Sequence, residues 1–209
     1  MQQLMVKSVE QKPAQIVSLV KDFSSELEAS FRAGQVLHGA PAGVEKASYS
    51  EEKTLLSFVY DFGTIQGLMP VHEVGAPVWP EYRGAKEFGP DDVESFEALS
   101  NRERSYVERR MQNIMRTGIL LPFTITALDG ATAILSRRKA IEKIKEKVQL
   151  AEGQEVALTV MLTTSKGAWC DHRGLTVFIP RYEVFYGDVS PGEILEPGST
   201  YMAKIKEVK

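Results

Sequence analysis

The sequence of 209 residues is poor in the residues that cross-link a chain or hold a metal. It contains a single cysteine, Cys170, so no disulfide can form within the chain, and this usage fits a reducing compartment. The histidines, His38, His72 and His172, are scattered and give no metal-ligand spacing with that cysteine. We therefore expect no metal and no other cofactor, and we interpret Cys170 as a small core residue.

Long apolar runs are also missing from the chain. No stretch approaches the roughly 20 apolar residues of a membrane span. The N-terminal stretch is interrupted by Lys7, Glu10 and Lys12 and lacks the apolar centre of a signal peptide. The chain is 43% hydrophobic, which suffices to build buried cores. We expect a cytoplasmic protein without a membrane partner.

The sequence offers no pairing of a nucleophile with a base. The adjacent carboxylates Glu51-Glu52 and Asp91-Asp92 have the character of pairs in a loop or at a helix start. We therefore expect no catalytic residue and no enzyme activity.

Charge of either sign is unevenly spread along the chain, although the formal net charge is only −3. Residues 1–98 carry a net charge of −7, residues 99–148 carry +6, and residues 149–209 carry −2. The overall negative charge argues against indiscriminate nucleic-acid binding. Any contact with phosphates should draw on the basic middle of the chain.

The most informative stretch is residues 166–180, KGAWCDHRGLTVFIP, which predicts a tight β-hairpin. Strands at 168–171 and 175–179 flank a turn at 172–174, and Pro180 ends the second strand. Every other residue of the second strand is aliphatic. This alternation directs the aliphatic side chains to a core and the remaining side chains to the outer face.

Trp169 and Phe178 share the outer face of this hairpin if its loop holds an even number of residues. Lys166, Arg173 and Arg181 lie beside them in the sequence. Aromatic rings with nearby cations suit single-stranded nucleic acid, because bases stack on flat rings and cations follow the phosphates. The alternative is that both rings are core residues, since most large aromatic side chains are mostly buried.

Hydrophobic periodicity and turn residues predict the other elements of the chain. Helices are predicted over residues 14–31, 91–117 and 137–148. The second helix has capping-box spacing at Ser100 and Glu103, which allows a break there. Strands are predicted over 35–39, 54–62, 65–70, 122–128, 131–136, 155–162 and 200–208, with a polar loop at 46–52.

The helix predicted after Ser100 carries a stripe of arginines, Arg102, Arg109 and Arg116. No acidic residue lies three or four positions from any of them, so the helix does not neutralise the stripe. Such a stripe can meet phosphates or an acidic partner surface. The alternative is a solvated face, paired with the acidic first part of the chain.

Two halves of the chain echo each other, which indicates tandem copies of one small β unit. Residues 34–36 match residues 153–156, and residues 67–74 match residues 177–184. Each copy follows the order strand, hairpin, connection, strand, which suits a five-stranded Greek-key barrel of the OB type. We therefore predict a mostly β chain with helical additions. Its predicted parts are an N-terminal helical arm at 1–33, an OB-type domain at 34–148 with a helical insertion at about 77–120 and a linker helix at 137–148, and a second OB-type domain at 149–209.

Four motifs carry a resemblance to a known family. They are Gly34-Gln35-Val36 after a helix, Gly67-Leu68-Met69-Pro70, the junction LDG…LSRRKA over residues 128–140, and KGAW…FIP within 166–180. In this order they resemble tandem S-one RNA-binding domains. The likeness is greatest to the first two repeats of the bacterial small-subunit ribosomal protein S-one, for which the family is named.

The resemblance implies single-stranded RNA binding without catalysis, in translation or RNA metabolism. It places a stacking platform at Trp169 and Phe178, and the same positions of the first repeat at Phe58 and Leu68, where leucine replaces the aromatic. The implied RNA-binding set is Lys166, Trp169, Arg173, Phe178, Arg181 and Tyr182 in the second repeat, with Phe58, His72, Arg137 and Arg138 from the first.

Two departures from the family pattern leave a second function open. The helical insertion stands where the family has a much shorter connection, and the sequence stops at Lys209, after the fourth strand of the second repeat. The second barrel is therefore predicted to lack its last strand and to expose an edge. The alternative function is a protein-interaction module that docks on the ribosome or another RNA-processing machine through the first repeat and the insertion.

Overall fold

We describe the fold from a computed structural model over residues 24–48, 54–79, 99–184 and 187–206. These residues form two β-sheets with several helices, which confirms the prediction of a mostly β chain with helical additions. The chain divides into two compact units, and the boundary between Lys143 and Ile144 falls inside the predicted linker helix. Within the described ranges, neither sheet forms a closed ring of paired strands.

The first unit contains a six-stranded sheet. Its strands are β1 (Leu37–Gly39), β2 (Gly43–Ser48), β3 (Thr54–Asp61), β4 (Gln66–Pro70), β5 (Leu121–Asp129) and β6 (Thr132–Ser136). Their spatial order is β1-β5-β6-β4-β3-β2, so the two edge strands are neighbours in sequence, separated by residues 40–42. All pairs are antiparallel except β4 and β6, which run parallel.

Strand β2 corrects one prediction from the sequence. Residues 46–48 were predicted as part of a polar loop, but they pair with residues 54–56 of β3. Glu45, Lys46 and Ser48 are exposed on this edge strand, so its polar composition reflects its position at the edge. The remaining residues of the predicted loop, 49–52, lie outside the described residues.

Strand β3 is buried on both faces. Leu56, Phe58 and Tyr60 lie on one face and are at most 3% exposed, so this aromatic face belongs to the core. Leu55 and Val59 on the other face are buried as well. Burial also raises the pKa of the Tyr60 hydroxyl above its ordinary value, and the nearby Arg137 charge opposes this only in part.

Four α-helices of the described residues lie wholly or mostly in the first unit: α1 (Ser24–Ala33), α2 (Val71–Val74), α3 (Asn101–Arg116) and α4 (Arg137–Lys145), whose last two residues fall beyond the boundary. A short 3-10 helix, Ala76–Val78, follows α2. Helix α1 packs on β5 through the buried Leu27, and residues 14–23 of its predicted range lie outside the described residues. Helix α3 begins at the predicted capping box, in which the Ser100 and Glu103 side chains each accept from the other residue's backbone N–H.

The second unit contains a four-stranded antiparallel sheet. Its strands are β7 (Glu155–Thr164), β8 (Gly167–His172), β9 (Leu175–Pro180) and β10 (Thr200–Lys204), with the one-turn helices α5 (Arg181–Val184) and α6 (Pro191–Ile194) between β9 and β10. The spatial order is β10-β7-β8-β9. Strands β7 to β9 form a meander, and β10 returns to pair with β7.

The core of this unit lies under the inner faces of all four strands. Its buried members are Val156, Leu158 and Val160 of β7, Ala168 and Cys170 of β8, and Leu195. Val177 and Ile179 of β9 pack against them, as the alternation in the sequence predicts. Among the residues described in either unit, no helix is long and apolar enough to cross a bilayer.

Candidate nucleic-acid interface

The candidate site lies on the β8–β9 hairpin, whose register is set by a two-residue turn. Cross-strand pairing runs from Gly167 opposite Pro180 to His172 opposite Leu175, so only Arg173 and Gly174 remain in the loop. Both have positive φ, 51° and 90°, as a hairpin turn of the I′ type requires. The loop holds two residues, one fewer than the predicted turn at 172–174, and this even number is the condition under which Trp169 and Phe178 share one face.

Trp169 and Phe178 stand directly opposite each other on the outer face of this hairpin. Their ring centroids are 4.7 Å apart and the ring planes are inclined by 48°. Both side chains are half-buried, whereas Ala168 and Cys170 on the inner face are fully buried. The two aromatic rings therefore form one paired surface on the face opposite to the core.

Gly167 keeps Phe178 in this position. A Cβ atom at Gly167 would lie 2.7 Å from Cζ of Phe178 and 2.1 Å from the carbonyl oxygen of Ile179. The absence of a side chain therefore lets the Phe178 ring lie against the backbone at the start of β8. Glycine is needed here because of a close approach between two strands.

Cationic side chains lie at both ends of the hairpin. Lys166 precedes β8 and is exposed, and its carbonyl oxygen accepts from the backbone N–H of Arg181. Arg181 is held at that end by the Gly187 carbonyl oxygen and by Asp188, whose carboxylate lies 3.6 Å from its guanidinium. Tyr182 follows it and is 68% exposed, while Arg173 is exposed at the opposite end.

Asp171 is the one acidic side chain that shares the strand and the face of Trp169, and the sequence assigned it no role. Its carboxylate accepts from the backbone N–H of Gly174 at 3.0 Å, which ties the turn to β8. The neighbouring thiol of Cys170 is fully buried, and burial, reinforced by the Asp171 charge, raises its pKa to about 12. Cys170 is therefore a neutral core residue at physiological pH, as predicted.

The turn allows a test of Arg173, the one non-glycine residue with positive φ in the described parts of the chain. A non-glycine residue in the left-handed region costs roughly 1–2 kcal/mol, and asparagine tolerates it best. Replacing Arg173 by Asn should raise the free energy of unfolding by about 0.5–1 kcal/mol. Urea unfolding measures the gain, and Arg173→Lys is the matched control that should leave stability unchanged. A loss of stability in Arg173→Asn would contradict this account of the turn.

The structure corrects the platform position predicted for the first unit. Phe58 is fully buried, and it lies opposite Met69 of β4, so it cannot offer a ring to a base. The residue opposite Leu68 is Val59. Leu68 matches Phe178 in the repeat, so its cross-strand neighbour Val59 is the counterpart of Trp169. Phe58 precedes Val59 and is therefore the counterpart of the core residue Ala168. The first unit thus has two buried aliphatic residues where the second has its aromatic pair.

Two further residues of the implied RNA-binding set are buried in the first unit. Arg137 is 1% exposed, and its guanidinium donates to the carbonyl oxygen of Val74 at 2.9 Å. His72 is 8% exposed beside Glu73. Arg138 is half-buried and lies 3.8 Å from the same carboxylate. These side chains lie where α2 meets the start of α4, so an RNA contact of Arg137 or His72 stays a prediction that their burial does not favour.

The predicted arginine stripe lies on the exposed face of α3. Arg102, Arg109 and Arg116 are all exposed, while Val107 and Met111 on the opposite face are fully buried. Arg110 is different, because its guanidinium is buried and donates to the carbonyl oxygens of Pro77 and Trp79. The rest of the predicted insertion, residues 80–98, lies outside the described residues.

Comparisons with known proteins do not extend this account: no family model matches the chain, and no curated protein matches it. Across the described ranges, no group of three or more His, Cys, Asp or Glu side chains is placed to hold a metal ion. The candidate site is therefore defined by the geometry of the chain's own residues, with the pair Trp169 and Phe178 at its centre.

Proposed function

We propose that the chain is a non-catalytic single-stranded RNA-binding protein of the S-one type, acting in translation or RNA metabolism. The observation that carries this proposal is the aromatic pair Trp169 and Phe178, on the sheet face opposite to the core. Paired rings offer bases a stacking surface, and Lys166 and Arg173 at the two ends of the hairpin offer cations to the phosphates. Arg181 and Tyr182 complete the proposed contact set.

The strand order of the first unit supports the proposed OB-type architecture. Strands β2, β3 and β4 form a meander, β6 pairs in parallel with β4, and β5 pairs with both β6 and β1. Strands β1 and β2 are the two edges of the sheet, yet only residues 40–42 separate them in sequence. Residues 37–48 thus border both ends of the sheet, which supports a sheet curled towards the five-stranded, partly open barrel of the OB type. The second unit repeats the meander and the returning fourth strand.

Binding of short labelled RNA tests the proposed function. We expect fluorescence anisotropy to rise on adding the full chain to a single strand of about 12 nucleotides, and to rise less for a duplex of equal length. Affinity should fall by several-fold between about 50 mM and about 200 mM salt, because phosphate contacts release counterions. Absence of single-strand binding at the lower salt concentration would refute the proposal.

The arginine stripe supports a second candidate, a protein-interaction module that docks through the first unit. At the α-helical rise, Arg102 and Arg116 are about 21 Å apart along α3, with Arg109 midway. An acidic partner surface could meet all three, because their side chains are exposed.

Reversing the stripe distinguishes the two candidates. The triple variant R102E/R109E/R116E should abolish capture of ribosomal or other acidic partners in a pull-down and leave the affinity of the second unit for RNA within about twofold. Replacing the three arginines by lysine is the matched control and should preserve capture. Unchanged partners in the Glu variant would remove the support for the interaction module.

A further inference from the structure

The outer face of the second sheet carries a row of polar side chains beside the aromatic pair. Residues that stand directly opposite each other on paired strands share a face of the sheet. Pairing places Thr200 of β10 opposite Thr159 of β7, and Thr159 opposite Asp171 of β8. Asp171 is two residues beyond Trp169, so this polar row lies on the face of the aromatic pair, one row further along the strands.

Thr159 and Thr200 form a hydroxyl pair in this row. Their Oγ1 atoms are 3.0 Å apart, Thr200 is exposed and Thr159 is half-buried. In the described parts of the chain, neither hydroxyl has a second hydrogen-bond partner. A hydroxyl has one proton and two lone pairs, so the pair uses one proton and keeps the other proton as a donor, with lone pairs left to accept. The pair can therefore bind a group that both donates and accepts a hydrogen bond.

The charge of Asp171 makes this row unfavourable for a phosphate. Its carboxylate accepts from the backbone N–H of Gly174, and the residue stands directly opposite Thr159. A negative charge at this position repels a phosphate, whereas a neutral sugar hydroxyl meets no such repulsion. The cations proposed for the phosphates, Lys166 and Arg173, lie at the two ends of the hairpin. The row is therefore better matched to the sugar of a bound strand than to its phosphates.

The hydroxyl pair is close enough to the aromatic pair to meet the same ligand. Thr159 is one row along and one strand across from Trp169, which at standard sheet spacings is about 8 Å. Thr159 and Thr200 are also much shorter side chains than Trp169 and Phe178, so they leave room beside a stacked base. A base on Trp169 therefore brings the ribose of its own or the next nucleotide over this row.

We propose that Thr159 and Thr200 bind the 2′-hydroxyl of one ribose and so make the aromatic surface selective for RNA over single-stranded DNA. This inference rests on the proposed function and adds the sugar that the site prefers. The 2′-hydroxyl is both a donor and an acceptor, and it is the group by which a protein distinguishes RNA from DNA. Because Thr200 is exposed, water can replace a missing 2′-hydroxyl, so the preference should be modest.

Two labelled strands of about 12 nucleotides and the same sequence test this inference on the full chain. One is RNA and the other is DNA with uracil in place of thymine, so they differ only in the 2′-hydroxyl groups. Fluorescence anisotropy should show about 3- to 10-fold tighter binding of the RNA. Both affinities should fall between about 50 mM and about 200 mM salt, but their ratio should not change, because a hydroxyl contact releases no counterion.

The double variant T159V/T200V removes both hydroxyls and keeps a β-branched side chain at each position. It should bind RNA as weakly as the unchanged chain binds DNA, and its affinity for DNA should stay within about twofold of that of the unchanged chain. The matched control T159S/T200S keeps both hydroxyls and should retain the preference for RNA. Trp169→Ala should instead weaken the binding of both strands, because stacking involves the bases and not the sugars.

Two results would overturn this inference and leave the proposed function intact. One is equal binding of RNA and DNA by the unchanged chain, and the other is an undiminished preference for RNA in the valine variant. If the double variant does not fold, Thr200→Val alone decides the second point, because this exposed substitution breaks the hydroxyl pair and should reduce the preference. Binding of neither strand would refute the proposed function together with this inference.

Discussion

Replacing Trp169 by Ala should weaken binding of single-stranded RNA by roughly 5- to 150-fold, because each stacked base contributes about 1–3 kcal/mol. The effect should be large because Trp169 and Phe178 form one surface, with ring centroids 4.7 Å apart, and the remaining ring loses its neighbour. Stability should fall much less than for a core aromatic, since Trp169 is only half-buried and its strand keeps the buried Ala168 and Cys170. Anisotropy titrations and urea unfolding on the same preparation separate the two effects.

Trp169→Phe is the matched control for this prediction, because it keeps an aromatic face at the same register and should retain most of the affinity. A direct readout is also possible, since the chain has two tryptophans and Trp79 is buried in the first unit. In a Trp79→Phe background, quenching of the remaining fluorescence on adding RNA would report a base on Trp169. Loss of cooperative unfolding in Trp169→Ala would instead show that Trp169 is a core residue and would contradict the platform.

Phe58→Ala should lower the free energy of unfolding by about 3–5 kcal/mol, which is the usual cost of removing a fully buried aromatic side chain. Phe58 is 0% exposed and lies opposite Met69, which is also fully buried. The cavity left by the Phe58 ring would lie beside the middle of β3, which is buried on both faces. The close-packed side chains around it can move little to fill the cavity. Any loss of RNA affinity should follow the loss of folded protein, unlike the loss in Trp169→Ala.

Urea unfolding measures this cost, with Thr54→Ala as the control at the exposed start of the same strand. The control should change the free energy of unfolding by less than about 0.5 kcal/mol. A stable Phe58→Ala variant with reduced RNA affinity would contradict the core assignment and restore Phe58 as a ligand-binding residue. The two variants together test whether Phe58 stabilises the core of the first unit while Trp169 binds RNA in the second.

Local patterns in the sequence predicted much of the fold. The alternation of residues 175–179 identified the inner and outer faces of β9, because the faces of a strand follow directly from its two-residue period. Ser100 and Glu103 identified the start of α3, since a capping box is closed within one helical turn. The strands predicted over 122–128 and 131–136 correspond to β5 and β6, and the turn between them is Gly130-Ala131.

The same patterns failed where both sides of an element are covered by the rest of the chain. Strand β3 is buried on both faces, so alternation could not show that Val59, and not Phe58, is the counterpart of Trp169. Arg137 followed a strand in an apparently accessible position, but its partner carbonyl belongs to Val74, 63 residues earlier in the chain. Such a partner is invisible to any local window of sequence.

The sequence by itself therefore determined most of the strands and the longer helices, where helix α3 begins, and which face of β9 is turned to the core. These properties depend on residues within a few positions of each other. Only the tertiary structure decided which of the predicted contact residues remain accessible, and in which order the strands of each sheet pair. Burial and strand pairing depend on segments distant in sequence, so they are settled only when the chain has folded.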